Sequence, residues 1–172
     1  MTILAENRQQ ILSRIHLSNP WHLLATGFGS GLSPVVPGTV GSLAALPFWY
    51  LLILLPEDLY YLVVLAGICL GVYLCHRTAK DMGVHDHGSI VWDEFIGMWI
   101  TLMAIPNHHW QWVAAGFIVF RILDMWKPWP IRWFDRNVSG GMGIMIDDIV
   151  AGILSAVILY AVGYYSPGLL PL

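Results

Sequence analysis

Long apolar runs alternate with short polar connections along the chain. Five runs stand out, at about 41–55, 59–76, 89–105, 110–126 and 149–165. Each lies near the lower limit of the roughly 17–25 residues a helix needs to span a bilayer. The third and fourth reach that limit only when polar residues near their ends are included. The pattern predicts an all-α fold: a polytopic membrane helix bundle with about five transmembrane helices, forming one domain over residues 1–172. A sixth stretch, WHLLATGFGSGLS at 21–33, is too short and too glycine-rich to span. It reads as an N-terminal interfacial or re-entrant segment, because irregular backbone survives at membrane depth only under a cover of protein or water. Residues 5–17 are expected to form a short surface helix with Ile11, Leu12 and Ile15 on one side. The first twenty residues lack the basic start, apolar core and small-residue cleavage site of a signal peptide.

Composition supports a membrane protein. The chain is 57% hydrophobic and 11% charged, with a mean hydropathy of +0.65, whereas a soluble domain carries about 25% charged residues. The net charge of -3 says little, because the charges are few and clustered. No basic tract with interleaved aromatics points to nucleic acid, and no protein partner is deducible. Cys69 and Cys75, in or beside an apolar run, are expected to be reduced and structural. Trp49, Trp92, Trp110, Trp112, Trp126, Trp129 and Trp133 border the runs and read as interface anchors.

Charge sets the orientation. The connections PED (56–58) and PNHH (106–109) hold no Lys or Arg, while Arg8, Arg14, Arg77, Lys80, Lys127, Arg132 and Arg136 fall on the other side. Basic residues stay on the cytoplasmic side. The N-terminus is therefore expected inside and the C-terminus outside.

On that cytoplasmic side the polar residues of four segments meet. Asp93 and Glu94 begin the third run, Arg121, Asp124 and Lys127 end the fourth, and Asp147 and Asp148 precede the fifth. Thr39, Gly41 and Ser42 stand at the start of the first. Five acids at one depth repel one another unless cations intervene. Oxygen ligands beside a membrane suit Mg2+, which binds one or two carboxylates together with waters and phosphate. Adjacent helical residues point about 100° apart. One member of each adjacent acid pair is therefore expected to ligate while the other supports it or holds a basic residue. Asp93, Glu94, Asp124, Asp147 and Asp148 are the candidate ligands, and Arg121 and Lys127 balance their charge. An Arg121–Asp124 ion pair is the plainer reading of that spacing.

GFGSGLSPVVPGTVGS (27–42) is a candidate phosphate cradle, since glycine lets backbone N–H groups approach an anion at a helix start. Thr39, Gly41 and Ser42 are its expected contacts. It does not match the P-loop, and a bend or packing motif explains it equally well. HDHG (85–88) is a weak metal motif. His87 is better placed as an acid, base or supporting group.

The blocks GSGLSPVVPGTVGSL, IVWDEFIGMW, FRILDMWKPWPIRWFD and GGMGIMIDDIVAG resemble the signature blocks of bacterial phosphatidylglycerophosphatase A. The resemblance runs from about residue 18 to 165. It implies a Mg2+-dependent, multi-pass enzyme of the bacterial inner membrane, active on its cytoplasmic face. Such an enzyme hydrolyses the terminal phosphate of phosphatidylglycerophosphate, a membrane lipid, to phosphatidylglycerol and inorganic phosphate. The Cys-x5-Arg loop, the Asp-x-Asp motif and the Ser-Gly-His block of covalent phosphatases are missing. The expectation is in-line attack by a water oriented through Mg2+. Arg121 and Lys127 would bind the phosphate, and an acid or His87 would take the proton. An ion-coupled transporter or metal channel is the alternative, since intramembrane acids mark ion paths. The acids here gather at one interface and form no path across.

Overall fold

Proline, glycine and acid punctuate the apolar runs, and the helices follow that punctuation. In the computed structural model, which describes residues 8–84 and 87–165, every regular element is a helix. Helix α1 (Pro20–Ala25) starts on proline behind Asn19, whose side chain accepts the Trp21 N–H. A proline in the first turn forfeits no helical hydrogen bond. A 3-10 turn (Ser30–Leu32) leads to α2 (Pro37–Leu52), which also starts on proline. Helix α3 (Glu57–Met82) has Glu57 and Asp58 in its first turn, where the helix dipole favours acids. It stops at Gly83, whose N–H reaches the carbonyls of Ala79 and Lys80. Then come α4 (Trp92–Leu102), α5 (Trp110–Trp126), α6 (Ile131–Asn137) and α7 (Gly140–Tyr165). Pro128 lies just past the end of α5, where a helix cannot easily continue.

Helix α4 forms the middle of the bundle. Nine of its 11 residues are buried, with α2, α3, α5 and α7 packed around it. The two indole N–H groups of the helix and one of its carbonyls find partners inside the protein, as a water-free interior demands. Trp92 Nε1 donates to the Gly67 carbonyl at 3.0 Å and Trp99 Nε1 to that of Ala45 at 3.1 Å. The Tyr60 hydroxyl donates to the Trp99 carbonyl at 2.6 Å.

The third apolar run is shorter as a helix than as a sequence. Residues 89–91 form a connection tied back to α1, with Val91 N–H donating to the Ala25 carbonyl at 2.9 Å. At the other end, Ile105 precedes Pro106, which disfavours helical backbone before it. Helix α4 is therefore about 16 Å long at 1.5 Å per residue. Among the described residues, α3 and α7, 26 residues each, are long and apolar enough to cross a membrane. Leu51, Leu62, Leu65, Ile118 and Val157 are exposed on the outer helices, as membrane association requires.

The glycine-rich segment is packed against protein: His22, Ala25, Thr26 and Gly31 are buried. His22 Nδ1 accepts the His16 N–H, and its Nε2 lies 3.2 Å from Asp81 Oδ2 at the end of α3. Residues 8–12 of the expected surface helix are helical, and Ile11 and Ile15 pack on the core. Residues 5–7 lie outside the described residues. Cys75 is buried, with its Sγ 3.8 Å from Met145 Sδ, and Cys69 is exposed. Trp110, Trp126, Trp129 and Trp133 are exposed, but Trp49, Trp92 and Trp112 are buried in the bundle. Position near a span end does not say which way a ring points, and these three point inward.

One close crossing governs the rest. A Cβ on Gly152 of α7 would lie 2.7 Å from the Gly97 carbonyl oxygen and 3.2 Å from its Cα on α4. Small residues at such a point let two backbones touch.

Candidate active site

The Gly97–Gly152 contact sets the register of the acids. Asp93 stands four residues before Gly97, and Asp148 four before Gly152, about one turn in each helix. Ligand oxygens of Asp93, Glu94 and Asp148 accordingly lie within 4.8 Å of one another. Asp147, about 100° further round α7, meets the end of α5. There Asp124, Asp147 and Asp148 form a second group of the same reach. Asp148 belongs to both groups, with a ligand oxygen within 4.8 Å of one on Asp124. Two carboxylates that close need a proton or a cation between them.

Two basic side chains brace this cluster. Arg121 Nη1 donates to Asp124 Oδ2 at 2.7 Å and to Ser42 Oγ at 3.3 Å. Lys127 Nζ donates to Asp147 Oδ2 at 2.6 Å and to Asp135 Oδ1 at 2.5 Å. Burial opposes the charge on Lys127, but hydrogen bonds to Asp135 and Asp147 outweigh it and hold the ammonium above its ordinary range.

Three buried polar atoms of the cluster have no hydrogen-bond partner among the described residues: Glu94 Oε2, Asp147 Oδ1 and Arg121 Nε. Buried polar atoms are normally paired, so such orphans call for an explanation. Two acceptors among hard carboxylates fit a divalent cation such as Mg2+, and the guanidinium donor fits an anion beside it.

Sequence reasoning missed two residues here. Asp135, in α6, reaches Lys127 because the chain turns back after Pro128. Its only sequence signal was its place in the block FRILDMWKPWPIRWFD. Gly38, in the first turn of α2, is the second. A Cβ there would collide with Glu94 Oε1 and come within 3.4 Å of both terminal nitrogens of Arg121. The signal was the glycine directly after Pro37. A bare backbone at 38 lets the start of α2, with N–H groups that lack helical partners, close over the cluster.

The expected phosphate contacts divide. Thr39 is half-buried in the first turn of α2. Ser42 Oγ donates to the Gly38 carbonyl at 2.9 Å, so its proton is committed within the helix while its oxygen receives Arg121. A Cβ on Gly41 would sit 2.7 Å from Val91 Cβ, which gives this glycine a packing contact with the connection before α4. His87 Nδ1 accepts the Ser89 N–H at 3.2 Å, and His87 belongs to neither carboxylate group. His85 and Asp86 of the HDHG motif lie outside the described residues.

The family model described as Phosphatidylglycerophosphatase A matches residues 23–163. The chain is 76% identical over 167 residues to the Phosphatidylglycerophosphatase A of Escherichia coli, covering 97% of each chain. It is 50% identical over 155 residues to the Phosphatidylglycerophosphatase A of Haemophilus influenzae, covering 90% of this chain and 95% of that relative. No solved structure matches it.

Proposed function

Because the chain belongs to the phosphatidylglycerophosphatase A family, whose members are phosphatases of phospholipid metabolism, we propose that it hydrolyses the terminal phosphate monoester of phosphatidylglycerophosphate. The products are phosphatidylglycerol and inorganic phosphate. The observation that carries this reading is the buried carboxylate cluster with partnerless oxygens on Glu94 and Asp147, next to the guanidinium of Arg121. Asp93, Glu94, Asp124, Asp147 and Asp148 would hold Mg2+. The cation, when bound, supplies positive charge against the phosphoryl group and makes a nearby water more acidic.

The chain's own residues do the remaining work. Arg121 binds an equatorial phosphate oxygen, together with N–H groups at the start of α2 and the Thr39 hydroxyl. Ser42 holds the guanidinium in place. Lys127 commits two of its three donors to Asp135 and Asp147, which leaves one for phosphate. A water oxygen bonds to phosphorus as the bond from phosphorus to the glycerol oxygen breaks. One of the carboxylates, or His87, takes the water's proton, and the leaving glycerol oxygen is protonated. An apolar groove of about 500 Å3 along α5, lined by Phe117, Ile118, Arg121, Ile122, Met125 and Trp126, has Arg121 as its one charged wall. An acyl chain lying there would bring its phosphate to the guanidinium. A transporter or channel is not favoured by the family membership.

The decisive assay is phosphate release by the purified chain in detergent, on lipid and soluble monoesters, with Mg2+ and with chelator. Release from the lipid that depends on Mg2+ is expected. Release indifferent to Mg2+, or confined to soluble monoesters, overturns the reading.

The whole chain acts as one unit in the inner membrane in this reading. α2, α3, α5 and α7 traverse it around the shorter α4, and the cluster lies at its cytoplasmic side with Arg77, Lys127, Arg132 and Arg136. Single cysteines at Asn137 and His109, both exposed, in a chain lacking Cys69 and Cys75, test this placement. Residue 137 should react with an impermeant thiol reagent only from the cytoplasm and residue 109 only from the periplasm. The reverse pattern refutes the orientation.

A further inference from the structure

We infer that the cluster is built for two divalent cations with Asp148 as the carboxylate they share. This rests on the phosphatase reading for its purpose but on separate observations for its content. The acids do not form one ring of five. They form two groups of three, Asp93–Glu94–Asp148 and Asp124–Asp147–Asp148, each with ligand oxygens within 4.8 Å.

Each group also has its own buried oxygen without a partner among the described residues, Glu94 Oε2 in the first and Asp147 Oδ1 in the second. Asp147 is only 8% exposed, and Lys127 occupies its Oδ2, so Oδ1 is the atom left for a ligand. Arg121 likewise engages Asp124 through Oδ2 alone. The basic side chains therefore brace the second group without saturating it. No ion pair with a basic side chain is found for Glu94 or Asp148 among the described residues.

Charge leads to the same count. Five carboxylates against Arg121 and Lys127 leave three negative charges, with Asp135 at the exposed rim set aside. One divalent cation leaves the site negative, and it would repel a phosphate monoester carrying about two charges. Two cations remove the negative excess even when Asp135 is counted. Paired cations would also stabilise both the attacking and the leaving oxygen of an in-line displacement.

The test uses Mn2+ as probe and the full chain in detergent. Electron paramagnetic resonance of the free ion counts bound Mn2+, and low-temperature spectra report whether bound ions are spin-coupled. Two Mn2+ per chain with a coupled spectrum are expected. Glu94→Gln and Asp124→Asn act on different groups. Each should leave one Mn2+ and abolish the coupling, with size-exclusion profiles confirming a folded chain. Saturation of the unmodified chain at one Mn2+, or two uncoupled ions, overturns the inference. So does a coupled pair that survives both substitutions. Phosphate release measured on the same sample separates the claims: an active chain with one Mn2+ sinks the pair and spares the phosphatase, and an inactive chain with a coupled pair does the opposite.

Discussion

Asp148→Asn is expected to lower kcat/KM on the lipid substrate about a thousandfold, roughly 4 kcal/mol of transition-state stabilisation. Asp148 is 3% exposed and is the one acid within reach of both carboxylate groups. Its loss weakens both at once, whereas Asp93→Asn or Asp124→Asn affects only one. Asparagine keeps the shape and removes a charge from the edge of a membrane helix, which makes insertion easier. The loss should therefore appear in chain that is made and inserted normally. Steady-state kinetics across a Mg2+ titration, with membrane-fraction yield in parallel, measure it. Retention of more than a tenth of the original kcat/KM places the chemistry elsewhere.

Gly152→Val should damage both architecture and chemistry. A Cβ at 152 would lie 2.7 Å from a backbone oxygen of α4, and no side-chain rotation relieves a clash with backbone. The two helices must part, at a cost of about 1–3 kcal/mol for overpacking. Asp148 lies one turn away and moves with them. A displacement of about 1 Å costs on the order of a hundredfold in rate. A lower thermal midpoint in detergent and a hundredfold fall in kcat/KM are expected together. Ile158→Val, at an exposed position on the same helix, should change neither. Unaltered midpoint and rate in Gly152→Val would show that this crossing does not set the register.

Much of the helix pattern was legible because apolar runs and their punctuation are local. The fourth run became α5 with the same ends, and the second and fifth extended into the two 26-residue helices. The third did not keep its length, since the Val91–Ala25 hydrogen bond is a contact distant in sequence that hydropathy does not register. Tryptophans failed for a related reason: Trp49 and Trp112 border apolar runs as Trp110 does, yet only Trp110 is exposed. The gathering of acids could be read from their place at the ends of runs. Their division into two groups could not, because it depends on which way Asp147 and Asp148 face around α7. Asp135 and Gly38 escaped notice for want of a path. One needs the chain to turn back after Pro128, and the other needs α2 to lie against Glu94 and Arg121.

The sheathing of α4 has a mechanical consequence. Helices α3 and α7, 26 residues each, are about 39 Å long, against a hydrocarbon layer of roughly 30 Å. They can tilt to meet thicker or thinner bilayers at a modest cost per ångström. Helix α4 is enclosed by its neighbours, so the position of Asp93 and Glu94 is referenced to protein. The spacing of these acids from Asp148 is pinned at the Gly97–Gly152 contact. In the membrane-spanning arrangement proposed above, the outer helices would absorb the elastic mismatch, and the carboxylate geometry would be decoupled from the thickness of the membrane around it.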